Sequence, residues 1–565
     1  MAIYPKIWGK GALLCYSGLD GTTTPGDDLV GWLCGDRVAV DFEDHRATLA
    51  LFWRGVRDFS YTMVASDTIT GLVNGKEFSM IFSAQTEIIG SVPTEFATPA
   101  MQFDPTVPVD ENGVGRIGNR YFAFAFCPEC GRYALYVSTE GAEAAMSGAR
   151  AALKNPLGLE EKRAFFDRLP TPEGMSAEDA ELLSKCYSIM KSQVYTTCGE
   201  RKTRWWTTPD RLPHRHMWLW DSVFHSMGNV AISHELAADT LRAMLQSQDE
   251  DGFIAHMVMR EGHSDVTQPP VLAWGVLNYI QKTGDTSVLP EFYPALRRFM
   301  DWIIANRDSN HNHLYEWYVH RDSVNCRCGE SGMDNSPRFD GVAEMDCIDF
   351  SCYMAHEARC MSILAQKLGN TADVARFDEL YSNIRRAVNE TLWSEEDGMY
   401  FDYDIERGKL HRVWAVSSFL PLFAGICPPD RAKRLISHMT DPKRFWTEKP
   451  LPSIALDDPT FGDDMWRGPV WINMNYMVML GLREYGYTEL ATMLRRQTLD
   501  LVSHWYQNDG VLYEFYDSHD QLTPTRMNRK GPAIIPPQQN VRMPAISDYG
   551  WTATLTAAIL LEGLN

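Results

Sequence analysis

The sequence predicts a mainly α-helical protein, an (α/α)6 toroid preceded by an N-terminal β-sandwich. Three observations carry that expectation. The first 150 residues hold short runs of β-branched and aromatic residues between turn formers. From residue 176 onward, twelve successive segments show helical periodicity, with no strand run of similar strength among them. Polar and aromatic residues then crowd into the stretches joining those helices.

Residues 37–42, 47–53, 59–65, 77–83, 121–126 and 132–138 read as strands, spaced by Gly, Asp, Asn and Pro. Many short strands with regular turns predict a sandwich-like accessory domain over residues 1–150. No set of acids or histidines there points to catalysis, so the domain is expected to brace its successor or shape its mouth. Helix-favouring composition begins at Gly141-Ala142-Glu143-Ala144-Ala145-Met146 and is broken by Pro156, Pro170 and Pro172. Residues 151–175 therefore read as a linker with a helical piece.

The helical segments are 177–194, 218–231, 234–248, 271–283, 288–307, 342–368, 371–392, 414–423, 429–438, 470–485, 487–506 and 549–564. Twelve in a row make six hairpins that can close into a ring over residues 176–565. An open solenoid would show a fixed short repeat, which these intervals lack. In a toroid, long loops at one rim converge on a central cavity.

Composition narrows the partners. A chain of 565 residues, 45% hydrophobic and 22% charged, can bury a sizeable core. Its net charge of -21 argues against a nucleic-acid partner, which would need clustered Lys and Arg. The 17 Trp are mostly core material, but aromatic faces also stack on the apolar faces of sugars. Among the 12 Cys, only Cys127-Pro128-Glu129-Cys130 and Cys326-Arg327-Cys328 are closely spaced, and they lie far apart in sequence. A zinc ribbon needs two matched pairs, so no metal is expected and free thiols are. Gly9, Lys10 and Gly11 interrupt any signal-peptide core, and no apolar run reaches the length of a membrane span. These features predict a cytoplasmic protein without a membrane partner. Oligomeric state is not fixed by any of them.

Five constellations stand out. Trp205-Trp206 and Asp210-Arg211 lead into Trp218-Leu219-Trp220-Asp221-Ser222-Val223-Phe224-His225, where Asp221 and His225 share a helix face. Gln268 precedes Pro269-Pro270 at a helix entry, with Trp274 beyond. Glu330-Ser331-Gly332-Met333-Asp334-Asn335-Ser336-Pro337-Arg338 puts two carboxylates, an amide and a guanidinium on one loop, a donor and acceptor set suited to hydroxyls. Asp463, Asp464, Trp466, Arg467, Trp471, Asn473 and Asn475 crowd a stretch whose polarity core packing does not require. Glu514 sits among Val511, Leu512, Tyr513, Phe515 and Tyr516, where desolvation would raise a carboxyl pKa unless a charge partner opposes it. Singly, each also reads as an aromatic helix start, a helix entry or a solvated loop.

Taken in order from residue 205 to 552, these motifs, with Trp466-Arg467-Gly468-Pro469-Val470-Trp471, Tyr513-Glu514-Phe515-Tyr516 and the closing Tyr549-Gly550-Trp551-Thr552, resemble glycoside hydrolase family 63 and related α-glucosidases with an (α/α)6 barrel. The first 150 residues match no motif of that family. The resemblance implies that Asp334 is the general acid and Glu514 the general base. It implies that Trp220, Asp221, Gln268, Trp466, Arg467 and Trp471 line the pocket for the nonreducing sugar, and that Glu330 either binds that sugar or holds Asp334 in place. The implied reaction is inverting, exo-acting hydrolysis of a short α-glucoside, with a small oligosaccharide or glucoside as partner, no cofactor and no metal. No EF-hand-like ligand run appears.

Inversion needs one carboxyl to protonate the leaving oxygen and another to activate water on the opposite face, roughly 6.5–9.5 Å away. Asp334 must then be protonated near neutral pH, so burial or Glu330 is expected to raise its pKa. An (α/α)6 isomerase or epimerase would call for paired histidines, which the candidate loops lack. A noncatalytic sugar-binding barrel need not keep both acids. Trehalose-like and α-mannoside substrates compete with the α-glucoside, and the sugar epimer, linkage and aglycone stay open.

Overall fold

The computed structural model describes residues 3–42, 48–56, 59–197, 202–320, 326–529 and 544–562. Residue 47 of an expected strand and residues 563–564 of the last expected helix lie outside them.

Twelve strands fill the N-terminal part of the described chain. They are β1 (Leu13–Cys15), β2 (Val30–Cys34), β3 (Arg37–Asp41), β4 (Leu49–Arg54), β5 (Phe59–Ala65), β6 (Thr68–Val73), β7 (Lys76–Ala84), β8 (Glu87–Ser91), β9 (Thr98–Phe103), β10 (Gly115–Ile117), β11 (Arg120–Cys127) and β12 (Arg132–Ser138). They form a five-stranded sheet in the order β1-β2-β3-β4-β9 and a seven-stranded sheet in the order β10-β11-β12-β8-β7-β6-β5. Pairing is antiparallel, as in Val38 opposite Leu51 and Phe122 opposite Val137. β4 shows why: Leu49, Leu51 and Trp53 are buried while their alternates are not, the period of two of a half-buried strand. Trp53 meets Phe78 at 5.2 Å and Phe42 meets Phe122 at 5.5 Å, so aromatic rings from one sheet reach the other.

Fourteen helices follow among the described residues: α1 (Ala142–Ala152), α2 (Leu159–Asp167), α3 (Ala177–Ser192), α4 (Leu219–Asn229), α5 (His234–Leu245), α6 (Leu272–Thr283), α7 (Leu289–Asn306), α8 (Ile348–Lys367), α9 (Thr371–Thr391), α10 (Leu420–Phe423), α11 (Pro429–Met439), α12 (Ile472–Glu484), α13 (Thr488–Asp509) and α14 (Gly550–Leu561). α1 lies on β11 and β12 through Ala145, Ala149 and small strand residues, and Gly148 leaves room for the Tyr136 ring. Each of the twelve expected helical segments overlaps one of α3 to α14, with α11 and α13 running past the expected ends to Met439 and Asp509. The expected segment 342–368 starts late, at Ile348, because Met345 and Asp346 pair with Asp404 and Tyr403 in a short ladder.

The described chain divides into two compact units. One comprises Met1–His216, Ser503–Leu512 and Ser547–Leu561; the other comprises Met217–Val502, Tyr513–Ile546 and Glu562–Asn565. Within the second unit, α4 packs on α6, α6 on α8, α8 on α10 and α10 on α12, giving a row of inner helices. α5 flanks α4, α7 flanks α6 and α8, and α9 flanks α8. The inner members are buried on more sides than the outer ones: every residue of α4 is buried, whereas α9 buries one stripe through Phe377, Ile384 and Val388. No described helix is long and apolar enough to cross a membrane.

Candidate active site

All the residues singled out above, from Trp220 to Glu514, belong to the second unit. The loop before α8 carries Glu330 and Asp334. Gly329–Ser331 forms one tight turn and ends at Gly332, which takes φ 70. The Trp220 ring lies directly on that glycine, where any side chain would collide with it. Trp220 is itself fixed by its backbone N–H, which donates to Gln268 Oε1 at 3.2 Å. Gln268 thus anchors the aromatic start of α4 from the facing loop.

Glu330 is fully closed off. Its Oε1 accepts from Thr267 N at 3.1 Å and Arg307 Nη2 at 2.7 Å, its Oε2 from Tyr318 N at 2.7 Å, and Arg307 Nε reaches both oxygens at 3.2 Å. A carboxylate offers about four lone-pair sites, so little capacity remains for a ligand. Arg338 closes the other end of the loop. It is buried and bidentate to Asp349 at 2.6 and 2.9 Å and to Asp402 at 2.8 and 2.7 Å. Asp402 also accepts from Ile348 N at the start of α8, and Asp349 from Trp317 Nε1. Between these two clamps the Asp334 carbonyl accepts from Cys328 N at 3.1 Å. The Asp334 carboxylate lies close enough to His256 to oppose the fall in pKa that burial imposes on that ring. His256 Nδ1 is bonded to Ser264 Oγ.

A second loop, before α12, carries Trp466, Arg467 and Trp471. The two indoles stack at 3.9 Å with planes 1° apart, and Trp471 Nε1 donates to Met465 O at 2.8 Å. Trp466 Nε1 is buried without an acceptor among the described residues. A buried donor left unmade costs about 1–3 kcal/mol. Trp220 stands 6.5 Å from Trp466, ring to ring. The loop is tied to the loop of Asp334 by Asn335, whose Oδ1 accepts from Trp466 N at 3.0 Å and whose Nδ2 donates to Asp464 at 3.1 Å. Arg467 donates to the Asn335 carbonyl and to Asp340 Oδ2 at 2.6 Å, which leaves other guanidinium N–H groups for a ligand.

The third loop carries Glu514. Val470 and Tyr516 exchange backbone hydrogen bonds at 2.8 and 3.1 Å, and Phe515 packs on Trp471 at 5.0 Å. Glu514 is buried. Its Oε2 accepts from Arg529 Nε at 2.7 Å and from Ile546 N at 3.5 Å, while Oε1 accepts nothing among the described residues. The charge partner that the sequence left open is therefore Arg529. A continuous set of hydrogen bonds runs from Asp334's neighbour Asn335, through the Trp466 loop, to the loop of Glu514.

Asp221 and His225 are both buried on α4, with burial pushing His225 down to about 3. Two other groups bring metal-ligand types together, and neither suits an ion. In Cys347, Asp349 and Asp402, both carboxylates are taken by Arg338. In His356, Glu357 and Cys360, Glu357 instead caps α6 by accepting from Ala273 N and Trp274 N. A cavity of about 650 Å³ opens beside the second loop, lined by Phe461, Asp463, Asp464, Arg467, Arg526 and Asn528.

Residues 214–523 match the mannosylglycerate hydrolase MGH1-like glycoside hydrolase domain. The chain belongs to that family. A mannosylglycerate hydrolase of Thermus thermophilus is 28% identical over 393 residues, 55% of this chain and 91% of its own. A probable mannosyl-oligosaccharide glucosidase of Schizosaccharomyces pombe is 22% identical over 388 residues, 55% of this chain but 47% of its own. The crystal structure of a Thermus thermophilus family 63 mannosylglycerate hydrolase in complex with glucose superposes with a TM-score of 0.55 at 25% identity, over 68% of this chain and 100% of that one. The chain is thus a glycoside hydrolase, and the family 63 resemblance holds.

Arg307, Arg529 and His256 were not singled out by sequence. Arg307 ends a helical segment and Arg529 follows an ordinary turn, so neither carried a local signal.

Proposed function

We propose that this glycosidase hydrolyses a short α-linked glycoside from its nonreducing end with inversion, Asp334 serving as general acid and Glu514 as general base. The observation that carries the reading is the half-occupied Glu514 carboxylate: Arg529 holds Oε2 while Oε1 is left to accept a proton from water. In this scheme Asp334 gives its proton to the leaving oxygen as the glycosidic bond breaks. Water attacks the anomeric carbon and passes its proton to Glu514. Trp220, Asp221, Gln268, Arg467 and the stacked pair Trp466–Trp471 form the sugar pocket, with the Trp466 indole N–H donating to a hydroxyl. The saturation of Glu330 supports its second expected role, holding the acid's loop rather than touching sugar.

The sequence favours an α-glucoside. One observation favours an α-mannoside instead: the relative matched along 91% of its length is named a mannosylglycerate hydrolase, and the glucosidase is matched along only 47%. Within the same proposal, the row of inner helices belongs to an (α/α)6 toroid spanning residues 176–565, the two N-terminal sheets form a sandwich over 1–150, and 151–175 links them. The enzyme works in a reducing, cytoplasmic setting.

The test is a panel of α-linked gluco-, manno- and galacto-disaccharides and mannosylglycerate, with Glu514→Gln as control. Release followed by proton NMR should show the β-anomer first. Initial α-sugar would rule out inversion, and full activity of Glu514→Gln would remove that residue from the reaction.

A further inference from the structure

The turn Cys127-Pro128-Glu129-Cys130-Gly131 joins β11 to β12, and hydrolysis of a glycoside makes no use of it. Cys127 pairs with Arg132 across the hairpin. Gly131 takes φ 68, and its N–H donates to the Cys127 carbonyl at 2.9 Å, folding the turn back on itself. The fold places the two sulfurs side by side on one face of the turn. Cys130 is exposed and Cys127 half-buried, so both meet solvent, unlike the buried Cys15, Cys186, Cys347, Cys352 and Cys360.

We propose that Cys127 and Cys130 are a modification site, a dithiol that closes to a disulfide and reopens by exchange with a low-molecular-weight disulfide such as oxidised glutathione. Cys130 is the attacking sulfur. The neighbouring Cys127 thiol, and after it the Arg132 backbone N–H, hold Cys130 below the usual thiol range, while the same neighbour raises Cys127. The Cys130 thiolate displaces one small thiolate from the incoming disulfide, leaving a mixed disulfide on Cys130. Cys127 then loses its proton to solvent and attacks the Cys130 sulfur, expelling the second small thiolate. Two protein thiols are oxidised to one disulfide, and the small disulfide is reduced to two thiols. A tetrahedral zinc ion would need four ligands, and this turn supplies two.

The full-length protein, reduced and freed of reductant, is incubated with oxidised glutathione. The remaining thiols are alkylated, and the peptides are mapped by mass. Exposed Cys34 serves as an internal reference. The peptide holding residues 127 and 130 should lose two hydrogens and bind no alkylating agent. Its modification should run on the order of tenfold faster than that of Cys34. Cys127→Ser should trap one glutathione on Cys130, and dithiothreitol should restore both thiols in the parent. Full alkylation of both cysteines, or two glutathiones on that peptide at the rate of Cys34, would overturn the proposal. So would stoichiometric zinc in the purified protein that blocks oxidation until a chelator is added, which would make the turn half of a metal clamp.

Discussion

The loop of Glu330 and the loop of Glu514 use the same materials to opposite ends. Each buries a glutamate, and each brings an arginine to it from elsewhere in the chain. Around Glu330, both oxygens are consumed by Arg307 and by two backbone N–H groups. Around Glu514, one oxygen is consumed and the other accepts nothing among the described residues. A buried carboxylate costs several kcal/mol unless it is paired and hydrogen-bonded. The first loop meets that requirement completely and gains rigidity. The second meets it by half among the described residues, and the proposed general base is the carboxylate so held.

The contrast breaks first under conservative amide substitution. Glu514→Gln should lower turnover by roughly 10²–10⁴-fold with little change in melting temperature, as expected for a lost general base. Asp334→Asn should do the same, with steady-state rates and a thermal melt as the two readouts. Glu330→Gln should behave inversely. Losing the ionic partner of Arg307 should cost about 3 kcal/mol of stability, at the low end for a buried pair because Arg307 keeps some solvent. Turnover per folded molecule should survive at temperatures well below the melt. A Glu330 variant that is stable but inactive would erase the distinction.

A smaller effect sharpens the picture of the sugar pocket. Trp466→Phe keeps an aromatic ring against Trp471 but removes the indole N–H together with one ring of the bicycle. A tenfold rise in KM, equivalent to about 1.4 kcal/mol, is expected with turnover less affected. The smallest effect is on pH dependence. Burial pushes His225 down to about 3 from an ordinary 6.5. Between those values the unfolded chain binds the proton and the folded one does not, so stability is full above 6.5 and falls on acidification. The melting deficit of His225→Gln relative to the parent should therefore shrink below pH 6.5, by up to about 1.4 kcal/mol per pH unit. Glu357, raised to about 7 by burial, acts with the opposite sign: its stabilising proton is lost as pH rises through 7.

The sequence made the helices legible because their burial pattern is local. α9 and α11 show an apolar stripe at helical spacing, and α4 and α12 are rich in large apolar residues and buried over most of their length. The polar loops were equally visible, because Trp, Asp, Asn and Arg seldom crowd together without cause. What a linear reading lacked was the pairing. Nothing near Glu514 announces Arg529, and nothing near Glu330 announces Arg307, since those contacts exist only after the loops fold. The same holds for Arg467. Its motif gives no sign of the bonds its guanidinium makes to Asp340 and the Asn335 carbonyl. The late start of α8 has a similar origin, a cross-chain ladder that outweighs local helical preference.

The backbone exchange between Val470 and Tyr516 has a consequence for anyone redesigning this enzyme. The rigid mount it creates is indifferent to side-chain identity, so mutagenesis of neighbouring residues can retune selectivity without retiming the chemistry. Inserting or deleting even one residue between positions 466 and 470 would slip that mount. Loop grafting is therefore a hazardous route to new specificity here, and point substitution at the rim is the safer one.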